Sequence, residues 1–402
     1  LKKIMFISLP VSGHVNPQLN LCKELSQRNV TLIYYTFEQY FHKFDQMDGV
    51  DLRKYPDDFY HYYNKLAADE KLQSQFMNLL YVFYTFTEKL MPFMMKEVEK
   101  EKPDLIICDT LAIWSKIAAR YFQIPYVYFV SSFMGDKIMM KETPAFTRSL
   151  VKSAAVSIPY IMKFNTIIKR LEKQYGKVVD KPWNIMEPGG KFTMVVTSKD
   201  FHPGGYQYPS NVKFVGPAFV DKEDLTEEKN TIFISLGTIC FSHTYWDICI
   251  DASKDLGYQV VVSFGGNSNN KVNAANLPEN VKIYENLSLE EYRGVLKRSV
   301  LFISHGGFNS ISDSILYETP LIICPGHAEQ ASNGRVVEAD GCGKLFMANT
   351  KEFQKDNLKA LILQVIKDDD MKKNLSRYRS SFLKSPGFKK VVDELDQEFQ
   401  LF

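Results

Sequence analysis

Short apolar runs alternate with amphipathic helical stretches along this chain, and the alternation starts twice. Ile4 to Leu9 is an apolar run the length of a buried strand, and Val30 to Tyr35 is a second. Leu19, Leu21, Cys22 and Leu25 line one side of the helix between them, and Asn16-Pro17 reads as its N-cap and first position. Strand, helix and strand in so short a span imply a parallel pair with a right-handed crossover. Leu105 to Cys108 and Tyr126 to Val130 repeat the unit around a helix from Leu111 to Phe122. Apolar strands resume at 231–236, 258–264, 300–304 and 320–324. Before that restart, Val215-Gly216-Pro217 is followed by the charged run DKEDLTEEKN at 221–230, a linker signal. The expectation is an α/β fold of two Rossmann-like doubly wound domains facing each other across a cleft. Their expected bounds are 1–217 and 218–378, with a C-terminal helix in 379–402 packing back on the first domain.

At 402 residues the chain is too long for one core. Its 49 Lys and Arg against 47 Asp and Glu leave a net charge of +2, so nothing global recruits nucleic acid or an anionic membrane. The six cysteines are scattered without metal-ligand spacing, and the four inside apolar stretches read as small buried hydrophobes of a reducing cytosol. The opening apolar run, about six residues, suits a strand rather than a signal segment, and no run approaches the roughly 20 apolar residues of a spanning helix. A cytoplasmic protein with no integral membrane segment is expected. Two insertions, 55–95 and about 136–182, lack strand periodicity. The first is rich in Tyr and Phe, which suits either helices covering a sheet face or the wall of an apolar pocket.

Chemistry concentrates in the second half. Strand residues 301–304 run straight into His305-Gly306-Gly307-Phe308-Asn309-Ser310 and then a helix from Ile311 to Tyr317. Small residues at a strand–helix junction allow close backbone approach, and free N–H groups with the helix dipole favour an anion. His305, Asn309 and Ser310 add side-chain donors suited to a phosphate or diphosphate. Asp313, one turn further in, is placed to accept hydrogen bonds from a ribose diol, or is simply a first-turn acid. Glu329-Gln330, just past the strand at 320–324, pairs a carboxylate with a carboxamide, a combination suited to sugar hydroxyls.

The stretch SHGGFNSISDSILYETPLIICPGHAEQASNGRVVEADGCG, 304–343, resembles the donor-binding signature of UDP-glycosyltransferases, most of all the bacterial macrolide-type glucosyltransferases. GHVNP at 13–17, PDLIICD at 103–109, FVGP at 214–217 and ISLGT at 234–238 resemble that family in order and spacing. The resemblance implies a GT-B architecture, with the acceptor in the first domain and the nucleotide sugar in the second. It also implies His14 as the general base on an acceptor hydroxyl and Asp109 as the aspartate that orients it. Thr238, His305, Gly306, Gly307, Asn309, Ser310, Asp313, Glu329 and Gln330 become donor-binding residues. The implied reaction inverts an α-linked UDP-sugar, glucose first among them, to a β-glycoside on a hydrophobic hydroxylated small molecule. UDP-sugar is then a co-substrate, and no cofactor and no metal is expected.

Three departures matter. The W-x-P-Q or V-P-Q segment that family members carry as a uracil platform is absent: Tyr284 to Tyr292 contains neither Pro nor Gln, leaving Tyr292 or backbone amides as alternatives. Asp313 stands where glutamate is usual, and Gly326-His327 precedes Glu329-Gln330, His327 being either a sugar contact or a loop residue. The competing functions are a GT-B nucleotide-sugar epimerase and a catalytically silent nucleotide-sugar-binding homologue. An oxidoreductase is disfavoured, since no G-x-G-x-x-G opens either half.

Overall fold

In a computed structural model, the residues described are 1–222, 225–237, 243–266, 272, 277–347, 350–351 and 353–402. The first apolar run forms β1 (Lys2–Ile7), and its period of two sends Ile4 and Phe6 to one core and Met5 and Ile7 to another. Six strands continue this two-sided sheet: β2 (Val30–Thr36), β3 (Val50–Lys54), β4 (Leu105–Asp109), β5 (Tyr126–Val130), β6 (Thr193–Val195) and β7 (Val212–Phe214) join β1 in the order β3-β2-β1-β4-β5-β6-β7. Every pairing is parallel. Both faces are covered, as a parallel sheet requires.

A second sheet holds β8 (Thr231–Ser235), β9 (Gln259–Ser263), β10 (Val281–Tyr284), β11 (Ser299–Ser304), β12 (Leu321–Ile323) and β13 (Gly343–Leu345), all parallel, in the order β10-β9-β8-β11-β12-β13. Compact units follow the sheets: Leu1–Phe219 with Lys384–Phe402, and Val220–Leu383. The expected crossing at 379 falls inside a continuous helix, Asp369–Lys384, whose Tyr378 and Phe382 are buried. The second unit ends at Leu383, in the last turn of that helix, and the helix Gly387–Phe399 follows after Ser385-Pro386. That helix places Phe388, Val391, Val392 and Leu395 in one core with Val15, Leu21 and Leu25 of the first unit.

The sequence puts the first helix start too late. The helix runs Ser12–Ser26, because the Val11 carbonyl already accepts from the N–H of His14 at 3.0 Å and of Val15 at 2.9 Å. Pro17 therefore sits inside the helix, near enough to its start that only one intrahelical bond, to residue 13, is forgone. The charged run at 221–230 is also less free than a linker. Asp221 pairs with Lys297 at 3.1 Å, and the Lys229 ammonium caps the carbonyls of Tyr317 and Glu318 at 2.7 and 2.8 Å.

The aromatic insertion is largely core. The helix Phe76–Glu101 buries Phe86, Leu90 and Met94 in one core with Met5 and Ile7, its Tyr84 stacks on Phe164 at 5.9 Å, and Phe59 meets Phe86 and Trp114 edge-on at centroid distances of 5.5 and 6.2 Å. Tyr40, Tyr60, Tyr62 and Tyr63 remain partly exposed around it. The five described cysteines are buried thiols, and Cys240 lies outside the described residues. No helix among the described residues is long and apolar enough to cross a membrane.

Lys116, on the helix Ile113–Tyr121, is wholly buried, and burial lowers its pKa to about 8. It donates to the Ile185 carbonyl at 2.5 Å and stands 3.7 Å from Asp180, which also binds Arg120 at 2.6 Å. These groups tie the segment before β6 to the helix Ile113–Tyr121. Asp180→Ala strands the lysine and is expected to cost about 3 kcal/mol by urea unfolding, with Lys116→Met on that background recovering part of the loss.

Candidate functional site

In the first unit the strand order reverses between β1 and β4, and α/β sheets place ligands at the carboxyl ends of strands flanking such a point. Ile7 pairs with Cys108 there, so the residues just beyond each strand are neighbours. Asp109 closes β4, fully buried. A carboxylate out of water needs donors, and Asp109 has the N–H of Leu9 at 3.2 Å, the N–H of Leu111 at 3.1 Å and the Gln18 amide at 2.7 Å. The fourth donor is His14 Nδ1, 2.9 and 3.0 Å from the two carboxylate oxygens. His14 lies in the first turn of the helix Ser12–Ser26 rather than in a loop, with its side chain 12% exposed. An ionised carboxylate only accepts, so this contact fixes the proton on Nδ1 and leaves the basic lone pair on Nε2.

The second unit repeats the geometry. Its order reverses between β8 and β11, where Ser235 pairs with Ser304, and the next residues are Leu236-Gly237 and His305-Gly306-Gly307. The His305 ring is pinched between two glycines: a Cβ at Gly237 would lie 2.7 Å from it and one at Gly307 2.4 Å. Neither position admits a side chain unless the imidazole moves. The ring hydrogen-bonds the Ser235 backbone, and its Nδ1 is buried without a partner among the described residues. Burial, then the neighbouring His327, lowers its pKa to about 4, so the ring is neutral at physiological pH. Gly307 is the N-cap of the helix Phe308–Leu316 and brings no side chain to the first turn, where backbone N–H groups and the helix dipole favour an anion. Asn333 holds this loop from the next helix, donating to the Gly306 carbonyl at 3.1 Å.

The remaining expected residues separate. Ser310 stands beside Tyr292, to whose hydroxyl it hydrogen-bonds. Tyr292 itself packs edge-on against Phe233 at 5.4 Å and Phe302 at 6.2 Å, which commits its ring to the sheet rather than to a base platform. Asn309 and Asp313 share the helix of Ser310. Glu329 is partly buried in the first turn of the helix Ala328–Ala339, close to His327 at its N-cap. Gln330 is buried, its carboxamide oxygen taken by the Gly326 N–H at 2.8 Å, so it shapes the turn that carries His327. Thr238 lies outside the described residues.

A family model, UDP-glucoronosyl and UDP-glucosyl transferase, matches residues 35–386. The chain belongs to this family. It is a UDP-dependent glycosyltransferase with the GT-B fold. An uncharacterized UDP-glucosyltransferase of Bacillus subtilis, YojK, is 26% identical over 98% of this chain and 96% of its own. The demethyllactenocin mycarosyltransferase of Streptomyces fradiae is 22% identical over 98% of this chain and 86% of its own. Among solved structures, the calicheamicin glycosyltransferase CalG4 superposes with a TM-score of 0.76 at 19% identity, covering 99% of this chain and 98% of that one.

Three groups around the transferase's His–Asp pair carry no motif of their own. Gln18 is buried and oriented by the Tyr34 hydroxyl, which donates to its Oε1 at 2.5 Å. Ser131, just past β5, brings its Oγ to 3.1 Å from His14 Nδ1. Gln18 follows His14 by one helical turn, the spacing that could have found it. Tyr34 and Ser131 arrive by strand pairing, which spacing along the chain does not show.

Burial raises the Asp313 carboxyl from 3.8 to about 7, with Arg293 offsetting part of the effect. The folded transferase therefore holds this proton more tightly than the unfolded chain, and on this account stability falls as pH rises from about 4 to about 7. Asp313→Asn should melt with the wild type near the bottom of that window and above it at alkaline pH. Equal melting temperatures across the whole range would contradict the assignment.

Proposed function

We propose that this transferase moves a hexose, glucose first among candidates, from a UDP-sugar to a hydroxyl of a hydrophobic small molecule with inversion at the anomeric carbon. The observation that carries this reading is the contact of His14 Nδ1 with buried Asp109 at 2.9 Å. Held in that tautomer, His14 accepts the acceptor hydroxyl's proton on Nε2, and Asp109 stabilises the imidazolium that results. The acceptor oxygen forms its bond to the anomeric carbon as the bond to the diphosphate oxygen breaks, and the electron pair leaves with UDP. Inversion turns the α-linked donor into a β-glycoside.

Charge on the departing diphosphate falls to the first-turn N–H groups of the helix Phe308–Leu316, to Ser310 and to the neutral His305 ring. No metal ion is invoked in that role. Asp313 and Glu329 are assigned to hydroxyls of the donor. The glucosyltransferase name of the Bacillus subtilis relative and the mycarosyltransferase name of the Streptomyces relative support a sugar donor and a natural-product acceptor. The partly exposed tyrosines of the first unit suit an apolar acceptor.

Incubation with UDP-glucose and other nucleotide sugars over a panel of flavonoid and macrolide acceptors, followed by mass spectrometry, should give a hexose-sized gain, β-linked by NMR. His14→Ala is expected to lower kcat by about 10²–10⁴-fold while calorimetric UDP binding persists. Full activity in that variant removes the base assignment, and an epimerised or free sugar without acceptor would point to an epimerase. Gln18→Leu takes one donor from Asp109 and loosens the hold on His14. Its kcat should fall about tenfold, the equivalent of about 1.4 kcal/mol, with KM for the donor unchanged. A comparable worsening of kcat and of donor KM would assign Gln18 a purely structural role.

A further inference from the structure

The helices Pro144–Val156 and Ile158–Tyr175 meet at buried Ser157, and only one side of the pair is used. Phe146, Phe164, Ile167, Ile168 and Leu171 face inward and are buried, and the Ser153 hydroxyl accepts from the Met77 N–H at 3.1 Å. The outer side should then be polar, as on any surface helix. Near Ser157 it is not. Val151 is 65% exposed, Val156 67%, Ile158 57% and Met162 66%, four of the twelve large apolar side chains exposed among the described residues.

Around that apolar patch the charge is nearly all of one sign. Residues 144–177 hold seven Lys and Arg and one acid, Glu172, in a chain whose net charge is only +2. Arg148, Val151, Lys152, Ala155 and Val156 recur at helical spacing along one exposed face, and Met162, Lys163, Thr166, Lys169, Arg170 and Lys173 do the same on the second helix. Arg170 spends its charge on Glu88 at 2.6 Å, and Lys163 lies over the rings of Tyr81 and Tyr160 at 5.6 and 5.1 Å. Arg148, Lys152, Lys169, Lys173 and Lys177 are exposed, with no carboxylate within 4.0 Å among the described residues.

We infer that the exposed face of this helix pair is a peripheral docking surface for an anionic phospholipid bilayer. Its apolar patch enters the headgroup boundary, and the lysines flanking it meet lipid phosphates. Charge decides against a second copy: an isologous contact would set this basic face against itself. A nucleic acid would use the lysines and gain nothing from four exposed aliphatic side chains. The inference is independent of the proposed roles of His14 and Asp109.

Flotation of the purified full chain with vesicles provides the test. The protein should float with equimolar phosphatidylcholine and phosphatidylglycerol, stay behind with phosphatidylcholine alone, and be released by high salt. Val156→Asp/Ile158→Asp and Lys152→Glu/Lys169→Glu should each weaken partitioning at least about tenfold while melting at the wild-type temperature. Failure of the wild type to float with anionic vesicles overturns the inference, as does unaltered flotation of both variants. A wild-type dimer on size exclusion that Val156→Asp/Ile158→Asp converts to monomer would assign the face to self-association instead.

Discussion

A carboxylate withdrawn from water at the end of a parallel strand has to be answered by hydrogen bonds, and in the first unit of this protein Asp109 collects them from three directions. Leu9 comes from the end of β1, Leu111 from the turn after β4, and Gln18 with His14 from the helix that joins β1 to β2. The charge is therefore also a joint. It fixes how far the first helix stands from the sheet, and with that the position and tautomer of His14. Because the β1–β4 pairing sets the two strand ends side by side, the strand-order reversal and the histidine–aspartate contact are one constraint.

The second unit solves a similar positioning problem without a buried charge. Small backbone, rather than a carboxylate, holds His305: glycines on both sides leave the ring one place to go, and burial keeps it neutral. Such an arrangement presents oriented N–H groups and an uncharged imidazole, so the cost of desolvating a buried cation is avoided. Asp313 fits the same pattern, since a carboxyl raised to about 7 carries less fixed negative charge into the interior of the unit.

Both reversals of strand order were legible because long buried strands announce themselves: β1, β2, β5 and β11 are apolar nearly throughout. Strands that sit at an edge or run only three residues, among them β3, β6, β7, β10 and β13, carry too little pattern to stand out from their flanks. The first helix went astray for a definable reason. Asn-Pro is a strong start signal, but the Val11 carbonyl had already closed the turn. At the site, His14 and Asp109 were readable through their motifs, whereas Tyr34 and Ser131 reach the pair through sheet pairing alone. Gln330 was readable only by its type, and its hydrogen bond to Gly326, which shapes the turn before its helix, has no signature in the sequence.

Composition averages over surfaces, and that average conceals the most asymmetric one in this chain. A net charge of +2 gives no reason to expect an anionic partner, yet the segment 144–177 carries seven cations to one acid, balanced elsewhere by acidic stretches such as 221–230. Electrostatic attraction is screened within about 10 Å at ordinary salt, so a partner at these helices responds to the local group and hardly to distant acids. Exposed aliphatic side chains amid such a group have a physical use only where the surroundings are apolar on one side and charged on the other. A bilayer boundary meets that description, and a lipophilic acceptor would be concentrated in the same layer. An enzyme docked there would draw on a substrate pool that the aqueous phase holds only sparingly.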